Sequence, residues 1–257
     1  MNGTFTPSPG SAPLGRQVAA HTAMETRLLL RNGEQLLLAV VIPVLVLLGG
    51  VAALERIDLS LSHTSIDQLT PGVLALAVMS TAFTSLAIAT GFERRYGVLK
   101  RLGASPLPRH GLLLGKVGAL LVVELLQVVL VAGVALLLDW SPELTLRGVA
   151  GTLVTMALGT AAFASLGLLV AGVLRAEATL AVANLVYLLL AAAGGVVLPA
   201  WVYGRFGEVI EWLPSGALGG GLREALLVGT FPLGPSLVLL TWAAVGTLLT
   251  VRTFQWE

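Results

Sequence analysis

Three places in this sequence put reactive residue types at a spacing that could do chemistry. From Gly91 to His110 the chain reads Gly-Phe-Glu-Arg-Arg-Tyr-Gly-Val-Leu-Lys-Arg-Leu-Gly-Ala-Ser-Pro-Leu-Pro-Arg-His, which clusters Arg94, Arg95, Lys100, Arg101 and Arg109. Such a cluster can face anionic lipid headgroups or an acidic protein groove, although the basic bias of inner membrane loops also accounts for its charge. Glu93 to Leu102 can form about two and a half helical turns, and Pro106 with Pro108 enforces a break beyond them. Further on, Glu124 sits among Leu and Val, with Gln127 on the same helical face. A mid-membrane acid costs about 3 kcal/mol, while each central Leu or Val returns roughly 0.3–0.6 kcal/mol. The eighteen Leu and Val between Leu112 and Leu138 outweigh it. Glu124 must then face protein or water: paired with a polar neighbour such as Asn184, lining a substrate path, or carrying a proton.

The third place, Gly111-Leu-Leu-Leu-Gly115-Lys116-Val117, superficially resembles a phosphate-binding P-loop. Its glycine spacing is one residue short, Val117 stands where a magnesium-binding Ser or Thr belongs, and no strand precedes it. Nucleotide chemistry is therefore expected elsewhere. Catalysis fares no better, since His21, His63 and His110 all fall outside the apolar runs and no His-Glu-x-x-His pattern occurs. With no cysteine there is neither a disulfide nor a thiolate metal site. We expect no catalytic residue and no bound metal.

The elements that position these residues are read from composition. Only 11% of the 257 residues are charged, against about 25% in soluble domains, and mean hydropathy is +0.91. A bilayer core needs about 20 apolar residues per helix. Six runs qualify: Leu36–Leu54, Pro71–Thr90, Leu112–Leu138, Gly148–Leu174, Thr179–Leu198 and Gly234–Val251. The expected fold is an all-α membrane protein with six transmembrane helices in one domain, residues 16–257. Met1–Gly15 lack the basic start and apolar stretch of a signal peptide and read as a disordered cytoplasmic tail. With both termini in the cytoplasm, eleven Lys and Arg lie inside and four (Arg56, Arg147, Arg205, Arg223) outside, the orientation that positive-inside sorting favours.

Local chemistry refines this picture. Leu14–Gln35 mixes charged and apolar residues and reads as an interfacial helix, its apolar stripe broken at His21 and Thr22. Asn32-Gly33 signals the helix end, and Pro43 should kink the first span. Gly151, Thr155 and Gly159 at four-residue spacing permit close helix approach, within the chain or between copies. Leu198–Pro232 carries Trp201, Trp212 and many leucines, yet Pro214 and Gly219-Gly220-Gly221 interrupt any full span. It reads as a re-entrant outer segment of short broken helices ending near Arg223, or as an aromatic belt at the headgroups.

Four motifs in order carry a family resemblance. They are Arg31-Asn32-Gly-Glu34 ahead of Pro43; Glu93-Arg-Arg-Tyr-Gly97 with Leu102-Gly-Ala-Ser-Pro106 and Gly115-Lys116; Gly194-Gly195-Val-Val-Leu-Pro199; and Leu213-Pro214 with Ala217 and Leu222-Arg223. Together they resemble the permease subunits of type-2 ATP-binding cassette (ABC) exporters, departing where Arg95 replaces a second acid and Val98 a threonine. The resemblance implies a permease without its own cofactor, working with two cytoplasmic ATPase subunits that bind ATP and magnesium. It also implies a second permease copy or relative, making a homodimer or heterodimer, in the plasma membrane of a bacterium, with no nucleic-acid partner. Glu93, Arg94, Arg95, Tyr96, Gly97, Lys100 and Arg101 would form the ATPase-coupling element. Glu124, Gln127 and Asn184 are candidates for a substrate path, with Trp201, Trp212, Pro214 and Arg223 in the outer segment. The implied cargo is an amphipathic drug, lipid or natural product, as in multidrug efflux. An ion-coupled secondary transporter using Glu124 is the alternative.

Overall fold

The computed structural model describes residues 12–31, 33–56, 64–103 and 107–254, with 33–40, 103, 109 and 110 described by their backbone alone. The tail up to residue 11, the Asn32 turn, His63, the Ala104-Ser105-Pro106 break and the side chains of Glu34 and Arg109 lie outside what is described.

Among the described residues there are helices and no strands. In chain order the α-helices are α1 (Leu14–Arg31), α2 (Gly33–Leu54), α3 (Ser65–Met79), α4 (Leu86–Arg95), α5 (Val98–Gly103), α6 (Arg109–Leu136), α7 (Leu146–Val173), α8 (Ala176–Ala193), α9 (Gly207–Glu211), α10 (Pro214–Arg223) and α11 (Leu233–Thr253), with a 3-10 turn at Ala200–Phe206 and a π-turn at Glu224–Val228. A wider π-turn at Ser80–Ser85 joins α3 to α4, so Ser65–Arg95 is one continuous rod. Among the described residues, five helices are long and apolar enough to cross a membrane: this rod, Gly111–Leu136, α7, α8 and α11. The first apolar run of the sequence falls in α2, whose described apolar stretch is Val41–Leu54.

α3 is the axis of the fold. Every residue from Ile66 to Met79 is buried, because α2, α6, α7 and α10 pack around it. Its start is pinned by Thr64, whose hydroxyl donates to Asp67 Oδ2 at 2.6 Å, while Asp67 Oδ1 accepts from the Ser141 N–H at 3.0 Å. One acid thus closes an N-cap and ties down the α6–α7 connection.

Glycines on α7 decide a question the sequence leaves open. A Cβ at Gly151 would lie 2.5 Å from Pro232 Cδ, and one at Gly159 2.6 Å from Leu218 Cδ1. Thr155, between them, is fully buried. This stripe receives the α10–α11 region of the same chain, so the spacing serves internal packing.

α1 docks on α6 in an unexpected orientation. Its buried residues are His21 and Glu25, whereas Met24 and Leu28 are exposed. The polar break in its apolar stripe is its contact face. The groove that receives it is made of Gly111, Gly115 and Gly118: a Cβ at Gly118 would meet Thr22 Oγ1 at 2.8 Å, and one at Gly115 would strike the His21 ring. The glycines that resemble a P-loop are therefore a helix-docking groove. Gly115→Leu is expected to lift α1 away, raising amide hydrogen exchange over Gly15–Glu25 at least tenfold while α7 stays protected. Equal exchange in the variant and the natural protein would refute the groove.

Candidate functional site

The basic segment begins in the last turn of α4. Arg94 is half-buried and turns back into the protein. It donates through Nη1 to the Gly172 carbonyl and through Nη2 to the Leu174 carbonyl, the latter at 2.6 Å. The end of α7 leaves carbonyls without helical partners and carries the negative end of the helix dipole, so a guanidinium fits there. Arg95 instead points outward and pairs with Glu177 in the first turn of α8. Both side chains are at least half exposed, so the pair adds little stability.

A left-handed residue divides the segment. α4 stops at Arg95, and Gly97 takes φ 67° before α5 begins. The continuous helix expected from Glu93 to Leu102 is therefore broken: Gly97 supplies the αL conformation that ends a helix, which side-chain-bearing residues adopt at a cost. Arg101 closes the break by donating from Nη2 to the Tyr96 carbonyl at 3.0 Å and from Nε to the Gly97 carbonyl at 3.4 Å. Tyr96 caps the turn, 63% exposed, its ring stacked on Phe92 with centroids 6.2 Å apart and the Arg95 guanidinium 5.8 Å from its centre. Arg95, Tyr96, Lys100 and Arg101 form an exposed lip, and the roots of that lip are Glu93 and Arg94.

Beneath the lip lies a charged cluster that the sequence does not announce. Lys116 Nζ on α6 sits 2.6 Å from Glu93 Oε1 on α4 and 3.0 Å from Glu25 Oε1 on α1. His21 Nε2 lies 3.5 Å from the same Glu25 oxygen. Burial pushes the His21 imidazole below its ordinary range, against the pull of Glu25, which favours the neutral ring. The only forewarning is the i,i+4 spacing of His21 and Glu25 on one helix.

Deeper in the bundle, Glu124 and Gln127 are 3% and 1% exposed. Thr160 on α7 donates to Glu124 Oε2 at 2.7 Å, and Thr81 in the π-turn donates to Gln127 Oε1 at 2.8 Å. The partner of Glu124 is thus Thr160 rather than Asn184, which is exposed on α8. Rotation of α8 about its axis turns Asn184 away, with Thr179 and Ala183 facing the bundle instead. An amide at position 124 keeps the Thr160 bond, so Glu124→Gln is expected to change unfolding free energy by less than about 1 kcal/mol. Thermal unfolding in detergent measures this, and a larger loss would mean that the carboxyl does more than accept that bond.

At the far end, Arg223 closes α10 and is 7% exposed. Its Nη1 and Nη2 donate to the carbonyls of Gly195, Val196 and Val197, with 2.9 Å to Val196. These carbonyls belong to the non-helical stretch after α8 and have no ladder of their own. Pro214 opens α10, where its missing N–H costs nothing. Trp212 and Trp201 are exposed, and the Trp212 carbonyl accepts from Trp242 Nε1 at 2.9 Å. The outer segment therefore divides, with leucines of α10 inward and aromatics outward. Among the described residues no cluster of His, Asp and Glu could hold a metal ion.

Comparison with known proteins follows the same line. A protein-family model described as ABC-2 type transporter matches residues 16–215. No curated protein matches the chain.

Proposed function

This chain belongs to the ABC-2 type transporter family, and from that premise we propose that it is the permease half of an ATP-driven exporter. It is a multi-pass membrane protein; in our reading α2 completes a set of six spans, and α9–α10 re-enter the outer leaflet. The lip then lies on the cytoplasmic side with both termini, and two ATPase subunits bind ATP and magnesium there. Nothing in the glycines of α6 suits a nucleotide, because α1 covers them. Two permease subunits, identical or related, rock as the ATPases close and release an amphipathic or lipid-like cargo outward, as in drug efflux from a bacterial cell.

The single observation that carries this reading is the lip. Arg95, Tyr96 and Lys100 are presented to solvent on a turn held from behind by Arg101, Arg94 and Glu93. An exposed aromatic flanked by cations on a braced turn is the composition of a protein-binding hot spot. Purification of the full chain from its host membrane is expected to bring down a P-loop ATPase in comparable molar amount. Its absence would refute the proposal. Glu124-dependent uptake by the chain alone, driven by a pH gradient, would favour an ion-coupled carrier instead.

A further inference from the structure

Lys116 stands between two acids on two different helices, and nothing in the coupling scheme above requires it. The Lys116 side chain is 7% exposed, and the side chains of Glu25 and Glu93 are 12% and 20% exposed. One buried cation thus serves two acids, Glu25 buried and Glu93 partly buried. Such a pair is tolerated only while the ammonium lies between them, since removing one partner of a buried ion pair strands the other charge. The cluster therefore holds three elements at one point: α4 through Glu93, α6 through Lys116 and α1 through Glu25.

We propose that Lys116 is a positioning residue, a two-armed strut that makes α1 part of the moving unit of the transporter. Displacement of the lip reaches α7 through Arg94, which holds the Gly172 and Leu174 carbonyls. It reaches α6 through the Glu93–Lys116 contact, and it reaches α1 through the second arm to Glu25. Because α1 lies on α6 along glycines 111, 115 and 118, it has no side-chain bulk between itself and the strut. The lip and α1 move as one body. This inference rests on the coupling reading only for the direction of the push. The link between α1 and the root of the lip on α4 exists with or without an ATPase.

The natural chain has no cysteine, so pairs of spin labels can be placed cleanly on the full chain in nanodiscs of phosphatidylethanolamine and phosphatidylglycerol. One pair occupies Ala20→Cys on α1 and Lys100→Cys on α5, both exposed. A control pair occupies Val173→Cys and Val251→Cys at the adjoining ends of α7 and α11, also exposed. In the charge-neutral triple variant Lys116→Met, Glu25→Gln, Glu93→Gln, the Ala20–Lys100 distance distribution is expected to widen at least twofold while the control pair stays as narrow as in the natural protein. Should the triple variant lose the control distance, Glu25→Gln alone decides by the same criterion, since it keeps the Lys116–Glu93 arm. A distribution as narrow as the natural one overturns the strut. The widths are read without ATPase or nucleotide, so they decide the strut by themselves, and co-purification of an ATPase with the natural chain decides the coupling reading separately.

Discussion

Gly72→Ala is expected to lower the thermal unfolding midpoint by about 10 °C. A Cβ at Gly72 would lie 2.5 Å from Arg223 Nη2, 2.6 Å from the Val197 carbonyl and 2.7 Å from the Val196 carbonyl. Two of these three are backbone atoms, fixed by their own bonds to Arg223. The new methyl can be admitted only if α3 and α10 separate or the guanidinium releases its carbonyls. Overpacking of this kind costs about 3 kcal/mol, which is about 10 °C for a chain of this size. Gly49→Ala is the control, because nothing lies within 4 Å of a Cβ there, and alanine favours the helix. A Gly72→Ala midpoint within 2 °C of the Gly49→Ala midpoint would show that the clamp is loose.

Tyr96→Ala combined with Lys100→Glu is expected to weaken ATPase binding at least a hundredfold without unfolding the permease. Both side chains are exposed, and neither holds the fold together in the way that Arg94 and Glu93 do. Loss of an aromatic anchor costs about 2 kcal/mol or more, and a reversed charge beside it slows encounter and adds repulsion. The sum exceeds the 2.7 kcal/mol that a hundredfold change in affinity requires. Titration of the purified ATPase against the permease in nanodiscs measures it. Arg94→Gln gives the contrasting phenotype, because it uncaps α7 and shows as heat lability before it shows as lost binding. If the lip variant binds the ATPase as the natural protein does, the docking surface lies elsewhere on the molecule.

Much of the fold is written along the chain. Apolar runs measured against a fixed bilayer thickness reveal the long helices, since length and composition are local properties. The helix break before Pro108, the capping of α3 and the interruption at Pro214 are likewise local. Pairing of side chains is not. Arg94 meets the Gly172 carbonyl across 78 positions, Lys116 meets Glu25 across 91, and Thr160 meets Glu124 across 36. Each depends on how far a helix is rotated about its axis, and one residue of rotation turns a side chain through about 100°.

α1 shows the consequence most plainly. Its sequence pattern reads as a lipid-facing stripe with a flaw at His21 and Thr22, yet that flaw is the face that touches α6. The stripe was legible, and the side of it that protein would cover was not. The same holds for the basic segment, where residue types mark it for an anionic partner but do not say which cations remain outside. From the chain alone came an all-helical membrane protein of a recognisable family, with its basic lip. Packing alone decided that Arg94 and Glu93 turn inward, that Asn184 turns away from Glu124, and that Lys116 joins α1 to the lip. The reason is that desolvating a charge or a carbonyl is so costly that each buried one must find its partner wherever neighbouring helices bring one within reach.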